Sequence, residues 1–71
     1  MKLASLKEGG RDGSLIVVNR ELSRAVRVPQ IASTLQRALE DWSVTAPRLN
    51  AGYEQLQSGA DSVEGQAVFA F

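Results

Sequence analysis

The chain has 71 residues with no cysteine and no histidine, and its eight basic and eight acidic side chains cancel. This length limits it to one domain. The missing residue types exclude disulfides, the usual zinc sites, Ser-His-Asp triads and Cys-His pairs. Oxygen-ligand sites for calcium or magnesium remain open. The balanced charge argues against a general nucleic-acid binder, which carries a basic excess.

The charges are distributed unevenly along the chain. Residues 1–39 hold seven of the eight Lys and Arg, whereas residues 40–71 hold five of the eight Asp and Glu. Such a division can indicate that the protein binds a partner through electrostatic attraction. We interpret it instead as ordinary variation in the distribution of solvent-exposed charged side chains. No apolar run approaches the ~20 residues of a membrane span, and the first residues lack the apolar core of a signal peptide. We therefore expect no membrane partner and a cytoplasmic location.

Three short strands are predicted in the first part of the chain. They cover Lys2–Lys7, the β-branched run Ser14–Val18, and Ser23–Val28, in which apolar and charged residues alternate. The glycine-rich residues 9–13 and the polar residues 19–21 are typical of the turns between them. This pattern predicts an antiparallel meander, and one of its faces must be covered because a lone small sheet is not stable in water.

A first helix is predicted to cover the sheet. It begins between Gln30 and Thr34, just after Pro29, where Ser33-Thr34-Leu35-Gln36 fits a capping box. A single apolar stripe follows, consisting of Ile31, Leu35, Ala38, Leu39 and Trp42. Since Trp42 ends this stripe, we expect it to anchor the core.

A second helix is predicted from the Thr45 cap to a stop at Gly59, with Pro47 inside its first turn. Its stripe consists of Leu49, Tyr53 and Leu56, and we expect Tyr53 to lie in the core as well. Residues 58–62 read as a loop, and the apolar segment 66–71 is expected to pair with the meander as a fourth strand. The predicted fold class is α+β: a small antiparallel sheet of three or four strands covered by two helices.

Three groups of polar residues are candidates for chemistry. Adjacent helix residues point about 100° apart, so Glu40 and Asp41 are interpreted as a solvated pair. The turn at residues 9–13 could cradle an anion beside Arg11, but a strand follows it where a phosphate loop needs a helix. No catalytic, cofactor-binding or metal-binding residue is assigned.

The third group is the basic cluster Arg20, Arg24 and Arg27, around the second turn and the third strand. Arginines can block edge-to-edge pairing of a sheet, which is the interpretation we favour. Alternatively, they can bind a carboxylate or phosphate of an acidic partner. In that alternative the chain is a free-standing small protein-binding module.

The order of these segments resembles the opening of bacterial fumarylacetoacetate hydrolase-family enzymes. The resemblance covers most of residues 1–57. It is carried by Met1-Lys2-Leu3-Ala4-Ser5-Leu6, Gly9-Gly10-Arg11-Asp12-Gly13, Leu15-Ile16-Val17-Val18, Arg24-Ala25-Val26-Arg27-Val28-Pro29, Ile31-Ala32-Ser33-Thr34-Leu35-Gln36, Ala38-Leu39-Glu40-Asp41-Trp42 and Pro47-Arg48-Leu49. Beyond Ser58 the match is loose, although the apolar end resembles the lead into a catalytic domain.

The resemblance implies an accessory role for this chain. Members of the family are metal-dependent enzymes that hydrolyse, isomerise or hydrate acylpyruvate-like or 2-oxo-dienoic acids, as in aromatic catabolism. Two Glu and an Asp hold a divalent metal such as magnesium or manganese, and a His–Glu pair activates water. All of these residues belong to the larger C-terminal domain, and this sequence has neither Glu-x-Glu nor His.

We therefore expect residues 1–71 to be one non-catalytic N-terminal module of a longer enzyme, with residues 58–71 leading into the catalytic domain. The expected partners are that catalytic C-terminal domain and further copies in a homo-oligomer. Arg11 and Asp12 are the residues of this chain that could border the parent active site.

Overall fold

The computed structural model describes residues 2–7 and 13–71. In chain order the elements are β1 (Lys2–Leu6), β2 (Ser14–Val18), β3 (Arg24–Arg27), α1 (Leu35–Glu40), α2 (Trp42–Gln57), β4 (Ser62–Val63) and β5 (Gln66–Ala70). The strands form one sheet in the order β1-β2-β3-β5-β4, with every neighbouring pair antiparallel. The predicted α+β class is confirmed, but the sheet has five strands instead of three or four.

The predicted meander β1-β2-β3 is confirmed. β1 pairs with β2 along its full length, from Lys2 opposite Val18 to Leu6 opposite Ser14. Gly13 enters β2 with a φ of 102°, and a Cβ there would lie 3.3 Å from the Cβ of Ser5. Glycine is therefore required at this position both for its backbone conformation and for the close approach of β1. The remainder of the glycine-rich turn, residues 9–12, lies outside the described residues.

The predicted fourth strand is also confirmed, since β5 pairs with β3 and places Phe69 opposite Ala25. The additional strand is β4, which has only two residues and lies in a segment that the sequence shows as a loop. Glu64 and Gly65 connect it to β5 with φ values of 48° and 83°. Two positive φ angles make a tight hairpin turn whose twist matches the strands.

The helices differ from the prediction at their junction. Thr34 caps α1 and its Oγ1 accepts a hydrogen bond from the Arg37 N–H, within the predicted range of starts. The helix ends at Glu40, because Asp41 has φ −133° and ψ 48° and turns the chain into α2. The predicted single stripe that ends at Trp42 is therefore wrong, and so is the prediction that Trp42 anchors the core. Trp42 begins α2 and is 40% exposed, and Leu39 is 58% exposed.

Thr45 is not the cap of α2, as the sequence predicted, but lies inside the helix. Its buried Oγ1 donates a hydrogen bond to the carbonyl of Ala38 at 2.7 Å and thereby ties α2 to α1. Pro47 consequently lies beyond the first turn of α2. The other end is as predicted: Gly59, with φ 92°, follows the helix, and the Gly59 and Ala60 N–H groups bond to Leu56 and Gln55. These two bonds form a Schellman motif.

One face of the sheet packs against both helices and forms the main core. Its strands contribute buried leucine and valine side chains, and the helices contribute Ala38, Leu49 and Leu56. Tyr53 packs against this core, as predicted. Gly52 faces β4, and a Cβ there would lie 3.4 Å from the Val63 Cγ1, an ordinary contact distance.

Candidate functional site

The sheet has a second apolar face, which we call the outer face. Ile16, Val18 and Ala25 are buried there at 0–2% exposure, and Ala4, Leu6 and Phe69 pack around them. In the described part of the chain only strand residues contribute to this cluster. Both helices lie on the opposite face. Among the described residues no helix covers this cluster, but its centre is buried, and only its partly buried rim of Ala4, Leu6 and Phe69 presents apolar surface.

Arg27 lies at the border of the outer face, opposite Ile16 in the β2–β3 register. Its guanidinium carbon is 4.7 Å from the centre of the Phe69 ring, which is a cation–π geometry. The alkyl part of Arg27 thus adds to the apolar surface, while its charge stays at the margin.

The three arginines of the predicted cluster do not share one surface. Arg24 and Arg27 are three residues apart on β3 and project from opposite faces. Arg24 turns toward the end of α2, where its Nη2 donates a 2.6 Å hydrogen bond to the Ala60 carbonyl and lies 3.9 Å from the Asp61 carboxylate. Arg20 is exposed in the turn between β2 and β3. Two of the three guanidinium groups are therefore engaged within the module, on different sides of it.

The other candidate residues that the structure describes show no arrangement for catalysis. Glu40 and Asp41 are both exposed, as expected of a solvated pair, and the backbone carbonyl of Asp41 receives the first hydrogen bonds of α2. Within residues 2–7 and 13–71, no three Asp or Glu side chains come together to form a metal site. Arg11 and Asp12 lie outside the described residues.

Two pockets on the described surface are either small or polar. One of about 170 Å³ is lined by Ser14, Leu15, Arg27, Pro29 and Ser33, which is below the ~300–1,000 Å³ of typical small-molecule sites. Another, at the start of α1, is lined by Ser33, Thr34, Gln36, Arg37 and Glu40 and is predominantly polar. Ligand pockets are mostly apolar with a few polar groups, so surface contacts are the better candidate for function.

Among residues 2–7 and 13–71, large exposed apolar side chains occur in two places. Leu39, Trp42 and Val44 surround the junction of α1 and α2, while Leu22 and Phe71 lie at the β2–β3 end of the sheet. Sequence reasoning missed Leu22. The signal was present, because a leucine closes a polar turn at a position where glycine or asparagine is usual.

None of the helices in the described ranges has the length and apolar character needed to span a bilayer. A search of curated proteins gives no match. The family model described as fumarylacetoacetase N-terminal domain 2 matches residues 1–70, which is almost the whole chain. The resemblance noted in the sequence is thus confirmed, and the chain belongs to the fumarylacetoacetase N-terminal domain 2 family.

Proposed function

We propose that this chain is the non-catalytic N-terminal module of a fumarylacetoacetate hydrolase-family enzyme, and that it docks on and supports the catalytic domain. The observation that carries the proposal is the two-sided sheet. One apolar face is covered by α1 and α2, whereas only strand residues contribute to the outer cluster among the described residues. The centre of that cluster is buried, but its rim of partly buried side chains and the exposed Leu22 and Phe71 leave apolar groups in contact with water. Adjoining exposed apolar side chains are typical of interaction sites. The family description as an N-terminal domain supports a partner within the same polypeptide.

The chemistry of the parent enzyme is part of the same proposal. The resemblance implies hydrolysis, isomerisation or hydration of acylpyruvate-like or 2-oxo-dienoic acids with bound magnesium or manganese. The described residues do not fit that ion, since they form no cluster of carboxylates that could hold it. We therefore assign the metal and every chemical step to the catalytic domain, and binding and support to this chain. A cytoplasmic location and self-association through exposed apolar surface complete the proposal.

A free-standing module that binds acidic partners through Arg20, Arg24 and Arg27 is the rival proposal. It requires a continuous basic surface, but Arg24 is engaged with the end of α2 and Arg27 with Phe69 on the other face. No observation on the described residues favours it.

The reading frame after the codon for Phe71 provides the first test. We expect it to continue for about 200 codons, the size of a second domain, and to encode Glu-x-Glu and a later Asp. A stop codon directly after Phe71 would overturn the proposal.

The docking itself is tested by amide hydrogen exchange of the full polypeptide and of residues 1–71 alone. Docking slows exchange where the two domains meet, because local opening then also breaks the contact. Equal exchange of this module in both samples would contradict docking. The rival is checked on the 71-residue chain mixed with an acidic peptide: it predicts binding that charge reversal at Arg20 abolishes, whereas the docking proposal predicts no such binding.

A further inference from the structure

The turn between β2 and β3 holds a leucine in an unfavourable backbone conformation. Leu22 has a φ of 58°, in the left-handed region, and its side chain is 52% exposed. For residues with a Cβ this conformation is disfavoured, and glycine or asparagine usually occupies it. An exposed leucine gains little from burial that could offset the strain within the module.

The turn around Leu22 is fixed by several hydrogen bonds. The Leu22 N–H bonds to the Asn19 carbonyl at 3.1 Å, and the Asn19 Oδ1 accepts bonds from the Ser23 and Arg24 N–H groups at 2.8 and 3.0 Å. The Arg20 N–H bonds to the Gln57 Oε1 on α2 at 2.7 Å. Backbone strain persists where the surrounding structure over-determines it, and it concentrates at functional sites.

Phe71 lies beside this turn. Its N–H donates a hydrogen bond to the Ser23 carbonyl at 3.1 Å, which continues the β3–β5 pairing by one residue. Side chains alternate along a strand, so Phe71 projects from the same side as Phe69, toward the outer face. It is 56% exposed. The strained Leu22 and Phe71 thus belong to the same end of the sheet.

We propose that Leu22 and Phe71 form the contact through which this module docks on the catalytic domain of its own polypeptide. This inference rests on the proposed function, which places further chain after Phe71. The Phe71–Ser23 hydrogen bond then fixes the point at which that chain leaves the module, next to Leu22. A directly linked domain is held at high effective concentration near its exit point. The contact compensates the strain of Leu22, whose side chain fills a site on the partner domain.

The test uses Leu22→Gly, with Glu64→Gly as the matched control. Glu64 is a second exposed residue with positive φ, 48°, but it lies in the β4–β5 turn. Its carboxylate forms a 3.4 Å ion pair with Arg48, and the loss of so exposed a pair costs little. Both changes remove left-handed strain, so we expect each to raise the Tm of the 71-residue chain by about 4 °C. Only Leu22→Gly removes the proposed contact.

In the full polypeptide, wild-type docking is expected to slow hydrogen exchange at residues 19–24 and 69–71 at least ten-fold relative to the 71-residue chain. Leu22→Gly is expected to abolish this protection and Glu64→Gly to retain it. Protection that survives Leu22→Gly, or that appears at residues 39–44 instead, would overturn this inference and leave docking intact. A lower Tm for the isolated Leu22→Gly chain would overturn the strain argument. No protection anywhere would refute the proposed function itself.

Discussion

Replacing Asn19 by alanine should destabilise the β2–β3 turn more than any other single change there. Asn19 is 6% exposed, and its Oδ1 accepts the N–H groups of Ser23 and Arg24 while its Nδ2 donates to the Ser23 Oγ at 3.1 Å. Alanine leaves the Ser23 and Arg24 N–H groups without the side-chain oxygen that accepts their hydrogen bonds. A typical intramolecular hydrogen bond contributes about 1 kcal/mol net, so the free energy of unfolding should fall by about 2 kcal/mol.

That loss is large for a domain of this size, whose total stability is about 4–10 kcal/mol. Urea denaturation followed by circular dichroism should show it as a lower midpoint with an unchanged slope, and the Tm should fall by roughly 8–16 °C. Asn19→Asp is the matched control, because a carboxylate keeps both acceptor contacts. It should lose less than half as much stability. A loss below about 0.5 kcal/mol for the alanine variant, or equal losses for the two variants, would refute this account of the turn.

Three further changes test the packing of the helices. Leu49→Ala should cost about 2–5 kcal/mol because Leu49 is fully buried, whereas Leu39→Ala should stay within about 0.5 kcal/mol; equal losses in urea denaturation would contradict the break between α1 and α2. Gly52→Ala should raise the free energy of unfolding by about 0.5–1 kcal/mol through helix propensity. Its new Cβ would meet Val63 at ordinary contact distance, and a measured loss would show that this contact is too tight. Thr45→Val removes the 2.7 Å bond to α1 and should cost about 1 kcal/mol, with faster hydrogen exchange in α1; unchanged exchange would count against that tie.

The sheet was more predictable from the sequence than the helices. β2 and β3 follow from local patterns, since β-branched runs and alternation survive in almost any antiparallel setting. The helix junction was not predictable, because Ile31 to Trp42 has the spacing of one continuous helix. The turn at Asp41 is visible only in the folded structure, in the backbone angles of Asp41 and in the bond from Thr45 to α1. β4 was missed because two residues carry no periodicity and Glu64-Gly65 is a weak turn signal.

The candidate surface was predictable only in part. The apolar segment at residues 66–71 and the leucine in the turn were visible in the sequence, but their proximity depends on the pairing of β5 with β3. The grouping of Arg20, Arg24 and Arg27 failed for the opposite reason. Successive residues of a strand alternate between its two faces. Arg24 and Arg27 are therefore close in sequence but lie on opposite faces of the sheet.

The position of β5 inside the sheet has a consequence for synthesis on the ribosome. β3 gains its second neighbouring strand only from β5. The pairing of residue 25 with residue 69 therefore cannot form until β5 has been synthesised. Until Ala70 has left the exit tunnel, the nascent chain presents β3 as an open edge with the apolar Val26 on it, a state that invites non-native strand pairing. Closure of this module is therefore a late event that requires nearly all 71 residues, and any domain translated after it begins to emerge only as that edge becomes protected.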